Sequence, residues 1–172
     1  SFLPLLAKQI LLNNFLSDFP AAGIPTDNVD PEMLAKPRRW NIRNIRSFMV
    51  VFGLVSSLFD YATFGLLLFI AKTAEAGFQT GWFVESLLSE LVIALVVRTR
   101  RAFYRSKPGK LLFAVTIAVA IFTLAIPYLP FAPLLGLTPL PLWLMLALLG
   151  VTALYVFTTE RVKKWYFKKY PG

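Results

Sequence analysis

Asn14, Ser17 and Asp18 are the residues most suited to chemistry. They sit in LLNNFLSDFPAA, residues 11–22, between apolar flanks. Asn14 and Asp18 are four apart and Ser17 is three from Asn14, so on a helix all three project from one face. Oxygen ligands of these types suit a hard cation such as magnesium or calcium. Pro20 lacks a backbone donor and crowds the preceding turn, which predicts a bend or unwinding near it. Carbonyls freed at membrane depth serve as ligands where they line a cavity. The competing account is that Asn14 and Asp18 hold neighbouring helices together. An Asp near mid-membrane favours the functional account.

Three further carboxylates lie inside apolar runs. Asp60 is near the middle of SFMVVFGLVSSLFDYATFG, with Ser56 and Ser57 one turn before it. It reads as part of an ion path or of its structural support. Glu85 and Glu90 occur in GWFVESLLSELVIALVV. Five residues separate them, so they project well apart around a helix and form no paired site on one face. The expectation is that Glu90 is the deeper ligand candidate and that Glu85 lies nearer the outer surface.

These residues need membrane helices to hold them. The chain has 172 residues, 57% of them hydrophobic, and a mean hydropathy of +0.64. Long uncharged runs alternate with short basic clusters, the pattern of an all-α, polytopic membrane bundle. The runs are continuous rather than alternating, which argues against a β-barrel. Five spans are expected, at about 7–24, 47–71, 79–97, 111–128 and 140–158. Prolines in IPYLPFAP stop the fourth, and Pro141 suits the first turn of the fifth.

Of the 18 Lys and Arg, all but Lys8 and Lys72 fall between spans one and two, between spans three and four, or after span five. Positive charge marks the cytoplasmic side, so the N-terminus is expected outside and the C-terminus in the cytoplasm. Residues 25–46 and 98–110 are then cytosolic loops. Trp40, Trp82, Tyr104, Tyr128, Trp143, Trp165 and Tyr166 fall near span ends, as interfacial anchors do. A net charge of +9 reads as topology signal and contact with anionic lipid, not as nucleic-acid binding.

No Cys and no His are present, which excludes thiol redox chemistry, His or Cys metal sites and His-based catalysis. There is no Gly-rich phosphate loop. In TDNVDPEMLAKPRRW, Asp30 reads as an N-cap before Pro31 and Glu32, with a short helix over about 31–35. Asp27 and Asp30 lack the spacing of an EF-hand, and capping accounts for them better than calcium. The chain begins with Ser, and a fragment of a longer protein is the expectation.

The order of motifs resembles the C-terminal membrane half of P-type cation-transporting ATPases. Residues 14–18 (NFLSD) resemble the Asn-x-x-Thr-Asp pattern of their sixth membrane helix, and Asp30 to Arg39 resembles the KPRR-bearing loop after it. Four stretches point to the magnesium-translocating branch: IPTDNVDPEMLAKPRRWN (24–41), SSLFDYATFG (56–65), QTGWFVESLLSE (79–90) and RTRRAFYRSKPG (98–109). The resemblance covers essentially the whole chain and makes the five spans helices six to ten of ten.

That resemblance implies the membrane-embedded part of an ATP-driven transporter in a prokaryotic plasma membrane, with magnesium as the transported ion. It matches Asn14 and Asp18 to ligand positions of the sixth helix, with Ser17 between them as a further candidate, and Asp60, Glu85 and Glu90 to charged positions on the seventh and eighth helices. ATP enters only through the phosphorylation and nucleotide-binding domains, whose DKTGT motif this sequence lacks. The chain alone is not expected to hydrolyse ATP. The implied partners are the bilayer, the earlier helices and the cytosolic domains, with 26–39 meeting the phosphorylation domain. Calcium-pump relatives carry Asp-Gly-Leu-Pro where this chain has Asp18-Phe19-Pro20, so their coordination does not transfer directly. The alternatives are a calcium or proton pump fragment and a standalone five-span structural protein.

Overall fold

The computed structural model describes residues 3–31 and 42–169. The expected helix at 31–35 and the KPRR stretch fall largely outside them. Among the described residues the fold is all-helical, with α1 at Ala7–Gly23, α2 at Ile42–Gly65, α3 at Glu75–Val97, α4 at Lys110–Ala125 and α5 at Leu142–Lys169. A π-helical turn, Leu66–Ile70, extends α2.

Four of these helices are long and apolar enough to cross a membrane: Ile42–Ile70, Glu75–Val97, Lys110–Tyr128 and Leu142–Lys169. The chain is an integral, multi-pass membrane protein. α1 has 17 residues, roughly 26 Å of helix against a hydrocarbon core of about 30 Å. It runs unbroken through Pro20 to Gly23, where one 3-10 turn, Ile24–Thr26, follows. The unwinding expected at Pro20 is not observed, and the α-helix gives way one turn later.

α3 is the centre of the bundle, packed against α1, α2, α4 and α5. Phe78, Phe83, Val84, Leu87, Leu88 and Leu91 are buried along it. Gly81 lets α2 approach: a methyl group there would lie 2.6 Å from the Leu67 side chain. Trp82, expected near a span end, lies well inside α3 and packs against Phe64 with ring centroids 4.4 Å apart.

Both ends of the bundle are tied by polar contacts. At the end carrying Lys8, the buried Gln9 amide donates to the carbonyls of Leu135 (3.2 Å) and Gly136 (3.1 Å). The Thr138 amide donates to the Thr80 hydroxyl at 2.9 Å. These bonds satisfy carbonyls and amides of the connection between α4 and α5, which would be costly to bury bare. Gly136 stands at φ 73°, where a side chain is disfavoured. At the basic end, the wholly buried Lys163 ammonium reaches the Val96 carbonyl (2.7 Å) and Glu160 (2.6 Å). It sits at the C-terminus of α3, where a positive charge is favoured.

Candidate functional site

The candidate residues separate into two constellations. The first lies along α1 and α3. The Asn13 amide donates to Glu90 Oε2 at 3.4 Å, a long bond. Ser17 and Glu90 line one cavity of about 380 Å³, whose wall continues past Pro20 to Asp27 and Arg98 at the basic end. The Ser17 hydroxyl donates to the Asn14 carbonyl at 3.0 Å, which leaves its oxygen free to accept or coordinate. Asn14 and Asp18 are exposed, on the side of α1 turned away from this cavity's buried wall. Leu11, Phe15 and Phe19 are exposed beside them, so this face of α1 is uncovered within the chain.

The second constellation is where α2, α3 and α5 meet. Glu85 is buried, 1% exposed, and its Oε2 has no hydrogen-bond partner. Asp60 on α2 lies near enough for the two carboxylates to interact electrostatically. Tyr155 on α5, also buried, approaches Ser56 and lies in the field of both acids. Its ring packs on Phe59 with centroids 5.3 Å apart.

Glu85 is enclosed and Glu90 is exposed. α3 begins at Glu75 rather than at 79, so Glu85 stands near its midpoint and Glu90 toward its basic end. Their divergence around the helix is as expected: Glu85 lies in the field of Asp60 on α2, and Glu90 accepts from Asn13 on α1. Among the described residues no group of three or more His, Cys, Asp or Glu converges as a metal site. A cation held here draws on amide, hydroxyl and carbonyl oxygens or on other segments.

Asp27 and Asp30 bind the connection between α3 and α4, while the capping expected of Asp30 concerns a helix that lies largely outside the described residues. Arg98 Nη1 bonds Asp27 at 2.8 Å, and Nη2 bonds the Ser106 carbonyl (2.7 Å) and hydroxyl (3.1 Å). Asp27 also accepts the Gly109 amide at 2.7 Å. Both Asp30 oxygens accept side-chain hydroxyls, from Ser106 at 2.6 Å and from Thr99. Burial alone would push the Asp30 carboxyl up. The bonds from Ser106 and Thr99 and the charges of Arg101 and Arg98 outweigh it, so Asp30 is held below the usual carboxylate range. The signal available in the sequence was the acid–base complementarity of 27–30 and 98–110.

Comparison with known proteins adds the family context. The model of the family described as cation transporting ATPase, C-terminus, matches residues 2–165. A magnesium-transporting ATPase, P-type 1, of Salmonella typhimurium strain 14028s is 42% identical over 178 residues, covering 98% of this chain. The protein of the same name from Escherichia coli K12 is 41% identical over 174 residues, again covering 98% of the chain. A further one from Salmonella typhimurium LT2 is 36% identical over 181 residues. The chain spans 19% of the length of these curated relatives.

Proposed function

Because the chain belongs to the C-terminal region of P-type cation-transporting ATPases, in their magnesium-transporting branch, we propose that it forms part of the ion-binding site and path of an ATP-driven magnesium transporter. In this reading α1 is a fifth span, short but extended by its 3-10 turn. The basic end faces the cytoplasm of a bacterial cell, and 1–172 is one transmembrane domain. ATP hydrolysis belongs to other segments of the pump.

The observation that carries the reading is the shared cavity of Ser17 and Glu90, bounded at the basic end by Asp27 and Arg98. It places the oxygens of Ser17 and Glu90 on one otherwise largely apolar cavity that reaches the basic end. Asn14 and Asp18 stand on the uncovered face of α1, where another segment of the pump would complete their coordination. Magnesium takes few protein carboxylates and keeps several waters, which suits a sparse, partly open donor set. The relatives' names favour magnesium over calcium or protons.

The test is cation-stimulated ATPase activity and transport by the full-length protein carrying this segment. Asp18→Asn and Glu90→Gln are compared with wild type over magnesium, calcium and proton concentrations. Loss of magnesium stimulation, or a KM raised at least about tenfold (~1.4 kcal/mol of binding), is expected in both. Unchanged magnesium stimulation and transport in Asp18→Asn would refute the ligand assignment. Stimulation by calcium or protons instead would refute magnesium as the transported ion.

A further inference from the structure

Asn13 lies outside the set of Asn14, Ser17 and Asp18, yet its side chain reaches across to α3. Its amide donates to Glu90 Oε2, and Glu90 shares a cavity with Ser17. Asn13 and Ser17 are four residues apart, so they stand one above the other on a single strip of α1. Asn14 and Asp18 occupy the next strip, about 100° round the helix, and are exposed. Gln9 continues the inner strip one turn before Asn13. It is wholly buried and anchored on the carbonyls of Leu135 and Gly136. That anchor fixes the rotation of α1 that turns Asn13 toward Glu90.

The contact is incomplete on both sides. At 3.4 Å it is long for an N–H···O bond. Asn13 Oδ1 is buried and accepts no hydrogen bond, although a buried amide oxygen ordinarily has a partner. Glu90 forms no salt bridge among the described residues. The guanidinium on the same cavity, Arg98, is engaged with Asp27 and Ser106. A carboxamide donates at one end and accepts at the other, and its terminal torsion is soft. A half-turn of that group exchanges the NH2 that faces Glu90 for Oδ1. Three kinds of oxygen then lie along the contact between α1 and α3: the Asn13 amide, the Ser17 hydroxyl and the Glu90 carboxylate. The Ser17 proton is directed to the Asn14 carbonyl, so its lone pairs are free.

We propose that Asn13 is a further ligand for a hard divalent cation, its Oδ1 acting with Ser17 Oγ and the Glu90 carboxylate, which rests on the reading of the Ser17–Glu90 cavity as part of the ion site. One carboxylate with two neutral oxygens is a sparse set. It suits an ion that keeps several waters, as magnesium does. The same amide serves Glu90 as a donor in one orientation and the cation as a ligand in the other.

The test is the magnesium dependence of ATPase activity and transport in the full-length protein. Asn13→Leu, Asn13→Ala, Asn13→Asp and Glu90→Gln are compared with wild type. Asn13→Leu should raise the magnesium KM at least about tenfold, with a smaller change in kcat. Asn13→Ala should do the same without adding bulk, and it decides the matter if Asn13→Leu does not fold. Asn13→Asp strips Glu90 of its donor but keeps an oxygen, so it should recover most of the shift. An amide that merely joins the helices predicts the opposite, because two carboxylates would repel across the contact. An unchanged KM in Asn13→Leu or Asn13→Ala, with Glu90→Gln impaired, overturns the proposal and leaves the cavity's role standing. Asn13→Asp as impaired as Asn13→Leu also overturns it. An unchanged KM in Glu90→Gln as well overturns both the proposal and the reading of the cavity beneath it.

Discussion

Arg98 and Asp27 form an ion pair at 2.8 Å that joins the start of one basic-end connection to the end of α3. Both side chains are largely buried, 10% and 15% exposed. The second guanidinium arm holds Ser106, so one planar fork binds two segments at once. Removing it leaves the Asp27 carboxylate enclosed with only the Gly109 amide.

Arg98→Ala should therefore destabilise the protein by about 3 kcal/mol, at the low end for a broken buried pair because both groups keep some water. Arg98→Lys should recover only part of this, since an ammonium reaches Asp27 but not Ser106 as well. Thermal unfolding of the full-length protein in detergent measures both. Equal stability in Arg98→Lys and wild type would mean that the fork geometry is unimportant.

Gly109 is required for space rather than for backbone freedom. Its φ is −55°, open to any residue. A methyl group there would lie 2.5 Å from the Thr26 carbonyl oxygen and 2.9 Å from the Asp27 Cα, both backbone atoms. Gly109→Ala should cost about 1–3 kcal/mol by overpacking and lengthen the bond to Asp27. Faster hydrogen exchange at the Gly109-to-Leu112 amides is the expected local readout.

Lys163 fastens α5 to the end of α3. Lys163→Met keeps the volume but strips the Val96 carbonyl and Glu160 of their donor, at a cost of about 3–5 kcal/mol. The Phe103 amide still donates to Glu160 at 3.2 Å, so Glu160 is not left bare. Adding Glu160→Gln should return part of the loss by removing the stranded charge. Denaturation of the single and double variants reads the coupling, and strict additivity would show that the two residues act independently.

Asp30 gives the basic end an acid limit. Its folded carboxyl lies below the unfolded value of 3.8, so its stabilisation is present above that value. It is lost as pH falls from 3.8 through the lower folded value. Protease sensitivity of the 98–109 connection should rise in that window in wild type. In Asp30→Asn the connection should be equally sensitive at neutral pH and show no further change there.

The amino-acid sequence by itself determined the class and most of the helices. Apolar runs between basic clusters leave hydrocarbon as the solvent, and prolines at 127, 130, 133 and 141 mark where the fourth run stops and the fifth starts. Helical period alone placed Asn14 with Asp18, and Glu85 apart from Glu90, because those relations lie within one helix. Tertiary structure decided what stands opposite each face. Asp60 and Glu85 sit on different helices, and nothing in either run records that α3 turns that face to α2. The same holds for Asp27 and Asp30, whose partners Arg98, Thr99, Ser106 and Gly109 follow about seventy or more residues later. Local pattern reports which face of a helix is polar, but the neighbour that meets it is chosen by close packing of the whole bundle.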